Sequence, residues 1–280
     1  MSANVAGSVP GTGRKTAGHP WFHRLTRTGL AARGIIYLLI GLLAAQIGMG
    51  NGKGEADQKG ALATVVGTPG GTVALWLIVV GFAGLALWQY AEARYGQPVP
   101  DGHKAHNRLV SFTRGLLYTA SLIGALAFAL GHQGGSTDQR SQAFTAKVMA
   151  EPGGRWVVLA IAAGFLIVGA AIIYTGARRE FLQELKTGQI HARARQAVTV
   201  LGLLGNCARG LVFSGVGVFL GYAAITFDPG KAKGLDGTLR ESAHTPAGPW
   251  LLVAVAVGLA IFGVYSFCEA RWRKVETVRA

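Results

Sequence analysis

Apolar residues fall in six long blocks, near 30–50, 72–91, 111–131, 156–175, 198–226 and 250–268, with short polar connections between them. Each block is about 19 residues or longer, enough for a helix to cross the ~30 Å hydrocarbon core of a bilayer. The pattern predicts six membrane-spanning helices, with little of the chain far from the membrane. A basic tail ahead of the first block fits a cleaved signal peptide superficially. That block is long and has counterparts further on, which identifies a retained span instead.

The blocks pair, and the pair repeats three times. Arg33-Gly34, Arg114-Gly115 and Arg209-Gly210 stand at the mouths of the first, third and fifth blocks. From these arginines to Pro69, Pro152 and Pro246 the offsets are 36, 38 and 37 residues. Each proline is followed at +12 by a glycine (Gly81, Gly164, Gly258) and at +23 by Glu92, Thr175 and Glu269. A fixed period of this kind marks a repeated structural unit. The chain reads as a basic tail, 1–25, and three hairpin repeats, 26–97, 107–182 and 198–276. The fold class is an all-α integral membrane protein, six transmembrane helices forming three hairpins about a pseudo-threefold axis along the membrane normal. The prolines precede the second helix of each hairpin, where a missing N–H is harmless and a fixed φ helps the helix begin. Gly34 with Gly41, Gly210 with Gly217, Gly164 with Gly169 and Gly258 with Gly263 predict close helix packing, as small residues give in lipid.

Charge gives the orientation. Only 14% of the 280 residues are charged, with a formal net charge of +14, whereas a soluble domain carries about a quarter. Of the 27 Lys and Arg, 19 lie in the tail, the inter-hairpin loops and the C-terminal segment, and 8 in the intra-hairpin loops beside 7 acids. Basic residues stay inside, so both termini are expected in the cytoplasm. Trp76, Trp156 and Trp250 then mark the outer interface, and Trp21, Trp88 and Trp272 the inner one. The basic residues are split among loops rather than gathered on one face, which argues against nucleic acid as a partner. The bilayer is the expected partner, together with membrane proteins that the sequence does not identify.

Arg33, Arg114 and Arg209 then sit at the cytoplasmic mouths of spans one, three and five, where a guanidinium can snorkel to lipid phosphate or meet an acid. Glu92 and Glu269 leave spans two and six at the same depth, so the expected pairs are Arg33–Glu92 and Arg209–Glu269. The middle copy has Thr175 in place of the acid, with Glu180 a turn beyond. The functional alternative is a ring of three arginines that binds an anion.

The pattern A-R-G-I-I-Y, then Asp57-Gln58 with Ala61-Leu62, then Pro69-Gly70-Gly71 and a second apolar helix, resembles the repeat of domain-of-unknown-function family 1206. The resemblance covers residues 26–276 and all three copies. It implies a bacterial membrane protein with a helix pair present three times, and no activity. Copy three departs in the outer loop, where "GLDGTL" lacks the Asp-Gln pair.

Candidate chemistry is sparse. The middle thirds of the spans hold no ionisable residue, and Gln46, Gln89, Tyr37, Tyr118, Ser121, Ser214, Tyr222, Tyr265 and Ser266 read as packing groups or as bonds to their own helices. His103 and His106, with Asp101, have a spacing that could hold a metal, but they follow Pro98 and Pro100 and read as a solvated loop. Cys207 and Cys268 read as small buried thiols. No phosphate loop, G-x-S-x-G or H-E-x-x-H occurs. The expectation is therefore no enzyme, with no catalytic, cofactor-binding or metal residues. Two functions remain: a non-catalytic structural or interaction component of the cytoplasmic membrane, or a passive channel or small-solute transporter along the pseudo-threefold axis. An axis packed shut with Gly and Leu favours the first; a tube with Ser, Tyr and Gln favours the second.

Overall fold

A computed structural model describes residues 20–50, 54–99, 102–132, 137–243 and 248–274. The basic tail up to residue 19, Asp101, His244 and Pro246 lie outside the described residues, as does the side chain of Trp21. Each copy of the repeat is a long helix, a short helix and a long helix. Copy one is α1 (Pro20–Gly48), α2 (Gln58–Val66) and α3 (Gly71–Tyr95); copy two is α4 (Ala105–Ala129), α5 (Thr137–Met149) and α6 (Gly154–Ala177); copy three is α7 (Ala192–Thr226), α8 (Leu235–Ala243) and α9 (Gly248–Trp272). The six long helices are each long and apolar enough to cross a bilayer, and the protein is a multi-pass membrane protein. The short helices lie on the side away from both termini, here the loop side.

The prolines act one step earlier than the sequence suggests. Thr68, Pro69, Gly70 and Gly71 form a turn closed by Gly71 N–H donating to the Thr68 carbonyl at 2.9 Å. Gly70 has φ 78° and ψ 5°, which with proline before it is a type II turn. Glu151–Gly154 repeats it, with Gly153 at φ 77°. Proline fixes this turn, and the helix starts two residues later.

The spans form an open ring whose main seams run between copies: α3 packs on α4, α6 on α7, and α9 on α1. Two of these seams share one glycine register. A Cβ on Gly34 would stand 2.9 Å from the Gly263 carbonyl, and one on Gly210 would stand 2.7 Å from that of Gly169. A turn or two further on, Gly41 meets Ala256 and Ala260 while Gly217 meets Ala162 and Leu166. Such contacts put backbone against backbone, the principal attraction available between helices in lipid.

Within copies the symmetry breaks. In copy one Gly29 and Ala32 face Gly81; in copy three Gly205 faces Phe262 and Ala208 faces Gly258. Thus α1 packs on α3 and α7 on α9, but α4 and α6 scarcely touch. The reason is legible in the side chains: copy two has Val110 where the others have Gly29 and Gly205, and Thr113 where they have Ala32 and Ala208. Gly164, expected to pack, faces open space.

The loop-side helices are tied to one another. The Asp236 carboxylate accepts from Ala56 N–H at 2.7 Å, and Asp138 from the N–H groups of Gly234 and Gly237. Asp57 caps α2 through Gly60 N–H. The acidic residue therefore serves in all three copies, including the third, where Asp236 stands without the glutamine.

Candidate functional site

The repeat arginines point into the bundle rather than out to lipid. Arg33 is 5% exposed and uses its whole fork: Nε donates to Ser266 Oγ at 3.1 Å, one terminal nitrogen to Tyr118 Oη at 2.7 Å, and the other to Glu269. Glu269 also receives Arg273, which in turn binds Glu184, and Glu184 accepts from Arg114 at 3.0 Å. One chain of ion pairs thus runs Arg33, Glu269, Arg273, Glu184, Arg114. Burial pushes the Glu184 carboxyl up, but Arg114 and Arg273 outweigh it and hold the group down at about 2.

Both pairs expected from the sequence, Arg33–Glu92 and Arg209–Glu269, are corrected, and Arg114, which had no expected partner, gains one. Arg33 meets Glu269 and not Glu92, because the close seam joins the first helix of one copy to the second helix of the preceding copy. Arg114 takes its carboxylate from Glu184 on the loop after α6, rather than from Glu180. That loop, a 3-10 turn over Glu180–Glu184, is held against the end of α9 by Lys186 N–H donating to the Trp272 carbonyl and Lys274 N–H to that of Glu184. Arg209 has no carboxylate partner among the described residues: its seam-mate is the second helix of copy two, where Thr175 replaces the acid. Its guanidinium lies over Phe213 and Phe262, 5.5 and 5.2 Å from the ring centres, and its buried Nε makes no hydrogen bond to the protein. Arg33 lies over the same Phe262 ring, at 5.0 Å. Glu92 is buried and accepts from Ser111 at 3.3 Å. Trp88, expected at an interface, is 1% exposed with Arg273 over its ring, whereas Trp76, Trp156 and Trp250 are exposed at the loop side as expected.

Above this cluster lies a cavity of about 380 Å³ that has Arg33, Arg114, Arg209 and Tyr118 as its floor. That volume is within the range of small-molecule sites. The walls come from α1, α3, α4, α7 and α9, and the loop-side roof from Asp57, Gln58, His132, Arg140 and Leu235. Gln58 fixes the roof by donating to the Ser121 carbonyl at 2.7 Å. A cavity of about 40 Å³ below it shares Arg33, Arg114, Tyr118 and Arg209. A third, of about 130 Å³, shares Arg114, Glu184, Phe181 and Asn206 with the second and reaches the terminal side at Gln97 and His106.

The pattern of the family described as Domain of Unknown Function (DUF1206) matches three times, over residues 28–96, 109–179 and 204–273. The chain belongs to the DUF1206 family. This DUF1206 chain is 32% identical over 255 residues to an uncharacterized protein of Bacillus subtilis (strain 168), YxxB, the match covering 89% of this chain and 90% of that one. No solved structure matches it.

Among the DUF1206 chain's other candidates, Gly34 and Gly210 form seams while Gly115 lies against the Tyr90 ring. Pro69 and Pro152 sit in turns. His103 and His106 are exposed, and Cys207 and Cys268 are free thiols. Among the described residues no cluster of His, Cys, Asp or Glu could hold a metal. Tyr118, read from the sequence as a packing group, instead accepts from Arg33, and Glu184 and Arg273 went unnoticed; their signal was a carboxylate and an arginine just beyond the ends of α6 and α9.

Proposed function

We propose that this protein is a passive carrier for a small anion, which it binds on the arginine floor and passes along the axis. One observation carries the reading: three cavities follow one another along the bundle and share their lining residues, with the uncommitted Arg209 between the first two. Four arginines to three glutamates leave positive charge in excess there, and intramembrane ionisable groups without full pairing mark ion and substrate paths. The lining of Tyr37, Tyr118, Ser121 and Gln58 is of the kind expected for a path rather than a packed axis. The role is transport and not catalysis; the partners are the bilayer and the anion, and nucleic acid is not among them. The basic asymmetry of the loops supports the cytoplasmic membrane with both termini inside.

Purified protein in liposomes should raise the flux of at least one anion class, tested from inorganic phosphate to long-chain phosphates, and Arg209→Gln should remove most of it. No flux and no binding of any anion by folded protein would overturn the reading. The structural or interaction role would then lead, favoured by the ion-pair chain and glycine seams that lock the ring.

A further inference from the structure

Two of the three departures of copy two, Val110 and Thr175, line the third cavity, which shares Arg114 and Asn206 with the second. Val110 and Thr113 keep α4 from α6, and Thr175 leaves Arg209 without its carboxylate. The free charge and a bare stretch of α4 belong to the first cavity: Arg209 and Phe213 line it on α7, Ala120 and Gly124 on α4. Neither α6 nor α7 packs along α4. Ala120 is exposed, and a Cβ on Gly124 would meet nothing nearer than the Gln58 amide at 3.7 Å. At 1.5 Å per residue, Ala120 lies about 14 Å below the loop-side end of α4, so the opening faces acyl chains and not water. Between the arginine floor and the polar roof the walls are largely apolar, among them Ile36, Ile40, Phe82, Leu117 and Val212.

We infer that the cavity takes a single-chain amphiphile with an anionic head group, admitted sideways from the bilayer between α4 and α7. The head rests on Arg209 and the chain lies along the apolar wall. The inference rests on the anion-carrier reading and names its substrate class. A small hydrophilic anion would satisfy Arg209 but leave the wall without a partner. A neutral lipid would fill the wall and leave an unpaired guanidinium inside the membrane, which is costly. Both halves of the site are used only by a ligand that carries both.

The test is equilibrium binding to full-length protein in phosphatidylcholine nanodiscs, with partition into empty discs subtracted. The probes are dodecyl phosphate, ethyl phosphate and dodecanol. Dodecyl phosphate should bind saturably and at least about tenfold more tightly than either of the others, a difference of one decade in Kd. Arg209→Gln should weaken it by a similar factor. Gly124→Trp, which narrows the opening without touching the arginines, should slow the association of dodecyl phosphate and spare that of ethyl phosphate. Thermal melting of each variant shows whether it is folded, and Arg209→Lys supplies a charge-retaining control that keeps part of the binding. If ethyl phosphate binds as tightly as dodecyl phosphate, the amphiphile inference falls while the anion carrier stands. If dodecanol binds equally and Arg209→Gln changes nothing, or if no probe binds, both fall. An unchanged association rate of dodecyl phosphate in Gly124→Trp overturns the sideways route.

Discussion

Gly29 and Val110 hold equivalent places, four residues before the repeat arginine, and they separate a closed hairpin from an open one. Gly29 lets the backbone of α1 lie on Gly81 of α3; Val110 keeps α4 off α6 by its side chain. Gly29→Val should therefore destabilise the protein by about 3 kcal/mol or more, since it overpacks a backbone contact, seen as a lower melting temperature in detergent. The reverse change, Val110→Gly with Thr113→Ala, should shorten the distance between spin labels placed at the exposed positions 116 and 167. An unchanged distance would show that other contacts hold the gap open.

The repeat arginines are not interchangeable with lysine. Arg33 reaches Ser266, Tyr118 and Glu269 with three different nitrogens, a geometry that a single ammonium does not reproduce. Arg33→Lys should cost about 1–2 kcal/mol and Arg33→Leu about 3 kcal/mol, because the latter leaves a buried carboxylate short of a partner. Adding Glu269→Gln to Arg33→Leu should recover about half of that loss, whereas Glu92→Gln should recover none. The melting temperatures of the four variants decide it, and rescue by Glu92→Gln would reinstate pairing within the hairpin.

The repeat register made six spans, three copies and the equivalence of Arg33, Arg114 and Arg209 legible from the sequence alone. It left open which copies are neighbours. An acid at +23 has the same depth whether it pairs within its own hairpin or across a seam, and only the packing of α9 on α1 selects Glu269 for Arg33. The same ambiguity hid the free cation. Thr175 was visible as a missing acid, but the arginine that lacks it proved to be Arg209 of the next copy, and Arg114 is served by Glu184 from a loop with no counterpart in the repeat. The opening was in principle readable in Val110 and Thr113, whose bulk acquires meaning only once Gly29 and Gly205 are known to touch a partner helix.

Acid should loosen the terminal side of the bundle. The Glu184 carboxyl is held at about 2 against an ordinary 4.5, so it contributes stability that is present in full above pH 4.5 and is lost as pH falls towards 2. The linked contribution is on the order of 3 kcal/mol. Melting temperatures at pH 6, 4 and 2.5 should fall for the native chain, and Glu184→Gln should be less stable at pH 6 with a shallower fall. Parallel curves for the two proteins would show that the carboxylate is not the group being titrated.

Gly54 and Gly188 are exposed on opposite sides of the bundle. In a chain without its two native cysteines, Gly54→Cys should react with a membrane-impermeant maleimide added to intact cells, and Gly188→Cys should react only after permeabilisation. The opposite pattern would invert the proposed orientation.

The bond from Arg33 to Glu269 also sets a clock on synthesis. Its two ends are 236 residues apart, so at 5–20 residues per second the arginine waits roughly 10–50 s for its carboxylate. During that interval α1 is in or near the membrane with an unpaired charge along its length, which favours a shallow, tilted position with the guanidinium drawn towards the headgroups. Arg33 reaches its place in the ring only when α9 arrives, so α1, made well before α9, settles only after it.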